Sequence, residues 1–457
     1  MATKEFPLEP ETVDPIETTY RRIQTQLPVP ESLSILKEMR THEPRSMGGQ
    51  PPIVWDHGEG ATVSDRWGNR WLDFSSGVLV TSSGHGRREI VDAIVGMAQQ
   101  GLYHAYCFPT EIRSKLVEAL ANFAPAELNS VFLLTTGSEA TECCIKLART
   151  YGMQEGGPKK RVLVSFSNGF HGRTMGAQLA GGVPGLKTWL GEPHPDFVQV
   201  PFPDGFRQQD TSFELFEKTL AEAGVDPNTV CGVMGETFQG CNATLMPTDY
   251  AQALRRWCDK HRAVMIFDEV QAAFGRSGKA FSFQHLSITP DLVACGKGIS
   301  GGMPLSAVIG RDEIMNLYGP GEMTSTHSAN PICSAAALAN LEVIKNEGLV
   351  ENAAKLQSVL LEGVKAIVAA SNGRIGHADG VGLVTALQFT QPGTTEPDPD
   401  TAWKVVYAAY KRGLLLFAPV GVGGGAIKIC PPLVIDEAAL QEGLDVLKDV
   451  VSDVTTA

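Results

Sequence analysis

No run of 18 consecutive apolar residues occurs in the 457-residue chain, so no transmembrane helix is predicted. Cationic side chains are in deficit. Lys plus Arg total 38 against 51 Asp plus Glu, and a net charge of −13 argues against nucleic acid or an anionic membrane as partner. The nine cysteines form no C-x-x-C pair and no zinc spacing, which predicts free thiols in a reducing cytosol and no metal site. Adjacent Cys143 and Cys144 are read as helix packing. The first residues, MATKEFPLEPETVDP, have no apolar core and are acidic, so neither a signal nor a transit peptide is predicted and a cytoplasmic location is expected. No internal repeat occurs, and biased composition is confined to the N-terminal arm and Gln391–Asp400. What is present, 43% hydrophobic and 19% charged residues, fits a soluble globular enzyme of two or three structural units.

The most informative stretch is Ala263 to Gly302. An apolar β-forming run, Val264-Met265-Ile266-Phe267, stops at Asp268 and Glu269. Such a run suits a strand buried on both faces of a parallel sheet. In open α/β sheets ligands gather at the carboxyl ends of the strands, where Asp268 falls. A second apolar run, Asp291 to Cys295, leads into Gly296-Lys297-Gly298, which sets Lys297 in a glycine-lined bend 29 residues after Asp268. Three chemistries use such residues. A nucleotide hydrolase would need a G-x-x-x-x-G-K-[ST] loop; Gly278-Lys279 is followed by Ala280 and Gly296-Lys297 by Gly298, so neither qualifies. A divalent metal would be poorly chelated, because adjacent strand residues point to opposite faces. An aldehyde cofactor could join covalently to Lys297 while Asp268 pairs a protonated ring nitrogen, as pyridoxal 5′-phosphate (PLP) requires.

The combination of F-D-E-V-Q with D-L-V-A-C-G-K-G-I-S-G-G resembles the core of the class III aminotransferases, a branch of the fold-type-I PLP enzymes. The likeness runs from about Pro52 to Val451. It implies an α/β fold with a mainly parallel central sheet, helices on both faces, and a smaller α+β domain. It also implies roles for individual residues. Gly137 and Ser138, in a Gly-Ser-Glu-Ala turn, match the phosphate cradle, and a helix N-terminus suits an anion; read alone, the turn is equally a serine-capped helix. Phe170 and Val270 match the residues covering the two ring faces, Gln271 the partner of the phenolic oxygen, and Asp268 the partner of the ring nitrogen. His171 belongs to the same F-H-G-R-T string and is placed with the cofactor set. Glu236, in Glu236-Thr237-Phe238-Gln239-Gly240, resembles E-P-x-Q-G with Thr237 in place of proline, and is expected to line the site with a catalytic part. Lys297 would carry the cofactor and move the proton. Thr326, in a loop resembling T-F-G-G-N-P, would reach the cofactor phosphate of a neighbouring subunit, which implies a homodimer or dimer of dimers.

Two positions bear on substrate. Arg173 matches the arginine that grips a distal carboxylate in 4-aminobutyrate and ornithine aminotransferases. Lys428, in Ile427-Lys428-Ile429-Cys430-Pro431-Pro432-Leu433, stands where the family carries an arginine for the α-carboxylate. A lysine can hold a carboxylate only as a point charge, or can face elsewhere. Cys241 stands where the 4-aminobutyrate enzymes place a glutamate that neutralises that arginine.

From Val131 apolar runs and helical patterns alternate. Strands are predicted at 131–134, 161–165, 230–235, 264–267, 292–295 and 305–309, and helices at 139–151, 212–223, 248–261 and 331–346. The predicted division is an arm with a small β-meander over 1–75, a large cofactor-binding domain over 76–346, and a small α+β domain over 347–457. The resulting expectation is an aminotransferase moving an amino group from an ω-amino acid or amine to 2-oxoglutarate or pyruvate through pyridoxamine phosphate. Its rivals are a racemase, epimerase or dialkylglycine decarboxylase on the same fold, the nucleotide hydrolase, and a non-catalytic binding protein. An intact Lys297 counts against the last.

Overall fold

The computed structural model describes residues 4–456. The chain divides into two compact units, one made of residues 88–353 and the other of residues up to 87 together with 354 onward. Among the described residues no helix is long and apolar enough to cross a membrane.

The 88–353 unit is built on a seven-stranded sheet. Its spatial order is Ser130–Leu134, Ser306–Gly310, Leu292–Cys295, Val264–Asp268, Val230–Glu236, Val162–Phe166 and Phe197–Val200. Only the Ser306–Gly310 strand runs antiparallel to its neighbours; the remaining pairings are parallel. The expected mainly parallel α/β architecture is therefore present. The apolar runs form its centre: every residue of Val264–Asp268 and Leu292–Cys295 is buried. Full burial of each such aliphatic side chain is worth roughly 1.5–3 kcal/mol. The Gly137–Gly156 helix lays Ala140, Cys144, Leu147 and Ala148 against Leu163, Met234, Ile266, Ala294 and Val308. One strand escaped the sequence reading. Phe197–Val200 is four residues long and follows His194-Pro195, so its pattern is too short to register, and it lies at the sheet edge.

The other unit combines an antiparallel meander, His57–Glu59, Thr62–Ser64 and Arg70–Asp73, with a separate three-stranded sheet of Ile375–Val381, Val384–Phe389 and Ala426–Ile429. Leu414–Leu415 pairs in parallel with Leu72–Asp73, so N- and C-terminal segments share one sheet. Trp71, 1% exposed, donates its indole N–H to the Tyr410 carbonyl at 3.0 Å and stacks on that ring. After this meander Ser76, Gly77, Val78 and Leu79 all take positive φ, between 50° and 65°, a single left-handed turn. Side-chain and backbone bonds hold it: Ser75 N–H and hydroxyl to Asp73, and the Ser76 hydroxyl to the Cys430 carbonyl at 2.6 Å.

Candidate active site

Carboxyl ends of the parallel strands of the large sheet carry the predicted residues of the 88–353 unit other than Thr326. Asp268 ends one strand and Glu236 ends its neighbour, and the two stand directly opposite each other in the parallel register. Lys297 follows the next strand through Gly296. Its φ is 36°, a conformation that costs a non-glycine residue on the order of 1–3 kcal/mol and that clusters at functional sites. Phe170 and His171 follow the Val162–Phe166 strand, and the Gly137–Ser138 turn follows Ser130–Leu134.

Asp268 is 6% exposed, and each of its oxygens has one protein partner. Its Oδ1 accepts the Val270 N–H at 3.0 Å, and its Oδ2 pairs with His171 Nδ1 at 2.8 Å. Burial by itself would lower the His171 pKa, but the bond to Asp268 and the charges of Asp268 and Glu236 outweigh it, so the imidazole is held above its ordinary range. The Glu236 carboxylate accepts the Phe170 N–H at 3.1 Å and the Gly240 N–H at 2.8 Å. Burial, with the Asp268 charge adding, still pushes its pKa up to about 7. Glu269 turns to the opposite side, as strand alternation requires. It accepts the Thr237 hydroxyl at 2.6 Å and the N–H groups of Ser282 and Phe283 at 2.8 and 2.6 Å, and burial pushes it to about 7 as well. Sequence reasoning paired Asp268 with a ligand but had no signal for its bond to His171, 97 residues away.

The Gly137–Ser138 turn is capped by Thr136 rather than Ser138. Thr136 accepts the Glu139 N–H, and the Glu139 carboxylate takes the Thr135 and Thr136 N–H groups at 3.0 and 2.8 Å, a reciprocal capping box. Ser138 Oγ is left to accept the Arg173 N–H at 3.3 Å. Space here is tight. A methyl on Gly137 would come within 2.9 Å of Val270 Cγ1, and one on Gly172, whose φ is 131°, within 2.3 Å of Ser138 Oγ. Val270 is thus beside the turn. Arg173 is exposed, its guanidinium 5.7 Å from the Phe170 ring centre. Gln271 follows Val270 and borders Gly240, where an added methyl would meet its Nε2 at 2.5 Å.

Two further predicted residues belong to other elements. Thr326 is exposed in a loop whose His327 packs edge-on against His104 at 5.5 Å, and Tyr103 and Phe108, close to His104 in sequence, are exposed. Lys428 lies in the other unit, 2% exposed, on the Ala426–Ile429 strand. Its register neighbour is Ala386, which in turn stands opposite Asp379.

The aminotransferase class-III family model matches residues 45–451. A 4-aminobutyrate aminotransferase of Mycobacterium leprae is 33% identical over 450 residues, spanning 95% of this chain and 98% of that one. An isoleucine 2-epimerase of Lentilactobacillus buchneri is 33% identical over 417 residues, 87% of this chain and 89% of that one. Among solved structures, an amine transaminase from an uncultivated Pseudomonas species, in PLP-bound form, superposes with a TM-score of 0.80 at 27% identity, covering 88% of this chain and 94% of that one. Fold and family match agree, and the chain belongs to the class III aminotransferases, a family of PLP-dependent transaminases.

Proposed function

We propose that this transaminase takes the amino group of a 4-aminobutyrate-like ω-amino acid, or of a simple amine, and delivers it to 2-oxoglutarate or pyruvate, with PLP as cofactor. The carrying observation is the register that sets Asp268 beside Glu236, with Lys297 one strand further on. The chain's residues fit the cofactor. Gly137 and Gly172, where a methyl would strike Val270 and Ser138, let the turn, Val270 and Ser138 pack close together, and the buried Asp268 carboxylate suits a protonated ring nitrogen. Bound PLP supplies an aldehyde and a ring that takes up the electrons freed when a Cα–H bond breaks.

The protein's part is positioning and proton handling. Gly137 and Ser138 hold the phosphate, Phe170 and Val270 sandwich the ring, Gln271 meets the phenolic oxygen, and Glu236 lines the site. Lys297 anchors the cofactor and, once released, carries the proton taken from the substrate's Cα. Arg173, exposed beside Phe170, grips the substrate's distal carboxylate. Lys428 as a second carboxylate contact rests on its sequence string alone. Thr326, on an exposed loop beside exposed aromatics, would reach the phosphate of a second subunit in a homodimer. A panel of donors and acceptors tests the reading. Arg173→Ala is expected to raise KM for carboxylated donors at least tenfold more than for simple amines; equal effects would remove Arg173 from that role.

The epimerase relative favours a second reading on the same fold. Incubation with an amino donor alone separates the two. A transaminase stops after one equivalent with its cofactor aminated, whereas an epimerase turns over and inverts the donor.

A further inference from the structure

The strip 171–177 carries Arg173 and is bound along its length by one helix. The Gly137–Gly156 helix places Ser138, Thr141 and Glu142 at positions i, i+3 and i+4, so the three side chains share a face. Ser138 Oγ accepts the Arg173 N–H at 3.3 Å, and the Thr141 hydroxyl donates to the His171 carbonyl at 2.7 Å. One oxygen of Glu142, Oε1, accepts the Thr174 hydroxyl at 2.7 Å and the N–H groups of Gly176 and Ala177 at 2.8 and 3.1 Å. Hydrogen bonds to an ionised carboxylate are roughly twice as strong as neutral ones. Thr174 opens the short Met175–Ala180 helix without a side-chain bond to it, so Glu142 supplies the acceptor that the local sequence does not. Gly176 admits this approach, because a methyl there would strike the Glu142 carboxylate.

We propose that Glu142 is a positioning residue for Arg173 and thereby sets the preference for donors that carry a distal carboxylate. It acts through Thr174 and the two amides beyond, not on the substrate. The Arg173 side chain is exposed, so its aim is inherited from the backbone that carries it. That backbone lies between Gly172, at φ 131°, and Gly176, and glycine is conformationally permissive. Ser138 holds the Arg173 amide by one long bond, whereas Glu142 fixes the residues that follow by three shorter ones. Such restraint matters because a misplacement of about 1 Å can cost on the order of a hundredfold in rate. The bonds belong to the chain itself; only their link to donor preference rests on the proposed function.

The test uses the full-length, PLP-loaded protein with 4-aminobutyrate and with butylamine as donors, and follows amide hydrogen exchange over residues 171–180 by mass spectrometry. Glu142→Ala is expected to raise KM for 4-aminobutyrate about tenfold more than KM for butylamine, and to speed exchange over 171–180 about tenfold. Glu142→Gln keeps an acceptor oxygen and is expected to restore most of both. Equal effects on the two donors, unaltered exchange in Glu142→Ala, or no rescue by Glu142→Gln would each overturn the proposal. Should Glu142→Ala fail to fold, Gly176→Ala, which displaces the carboxylate by a methyl, decides by the same two readings. Arg173→Ala is run alongside. If it is selective between the donors and Glu142→Ala is not, the inference fails and the proposed function stands. If Arg173→Ala is unselective, the carboxylate grip fails, and exchange over 171–180 alone decides whether Glu142 holds the strip.

Discussion

The Thr237 hydroxyl donates to Glu269 at 2.6 Å, and both side chains are fully buried. This is the position where the motif otherwise carries proline, so the chain has exchanged a rigid residue for a donor. Thr237→Val keeps the shape and leaves a buried carboxyl one partner short. The expected cost is about 1–3 kcal/mol, read as a lower denaturant midpoint at unchanged slope.

Glu236 and Glu269 give stability a pH dependence of defined sign. Burial raises both from about 4.5 to about 7. Between those values the folded protein binds more protons than the unfolded chain. Their contribution is full below pH 4.5 and is lost as pH rises through 7. Denaturant unfolding is expected to give a free energy that falls over that window, by roughly 3 kcal/mol for each group. A free energy rising from pH 5 to 7.5 in wild type but not in Glu269→Gln would contradict this.

Lys297 sits at an unfavourable φ of 36°, separated from a buried strand by Gly296. Lys297→Ala is expected to reduce turnover at least a thousandfold and to abolish the visible absorbance of the PLP-loaded protein. Retention of that absorbance would remove Lys297 from its role.

Val78, a β-branched residue at φ 65° and ψ 55°, is 42% exposed. Its left-handed backbone costs about 1–2 kcal/mol, while glycine's extra freedom in the unfolded chain costs about 0.5–1 kcal/mol. Val78→Gly is therefore expected to stabilise the fold by up to about 1 kcal/mol, visible as a higher midpoint.

The large sheet was legible because its strands are buried on both faces and read as unbroken apolar runs; Val264–Phe267 and Leu292–Cys295 are the examples. The divergence of Asp268 and Glu269 was legible too, since alternation along a strand dictates it. What stayed hidden was long-range or irregular. Ile375–Val381 contains Gly376, Asp379 and Gly380 and shows no alternation. The left-handed turn at Ser76–Leu79 depends on bonds to Asp73 and to Cys430, more than 350 positions away. The cap at Thr136 was missed because two hydroxyl residues, Thr136 and Ser138, compete for it within three positions, and only the reach of Glu139 decides.

That reach has a consequence for assembly. Because Glu139 folds back onto the amides of Thr135 and Thr136, the entrance to the helix is held by the chain's own carboxylate. Residues 135–139 supply both halves of that contact, so the corner needs no distant segment to set it.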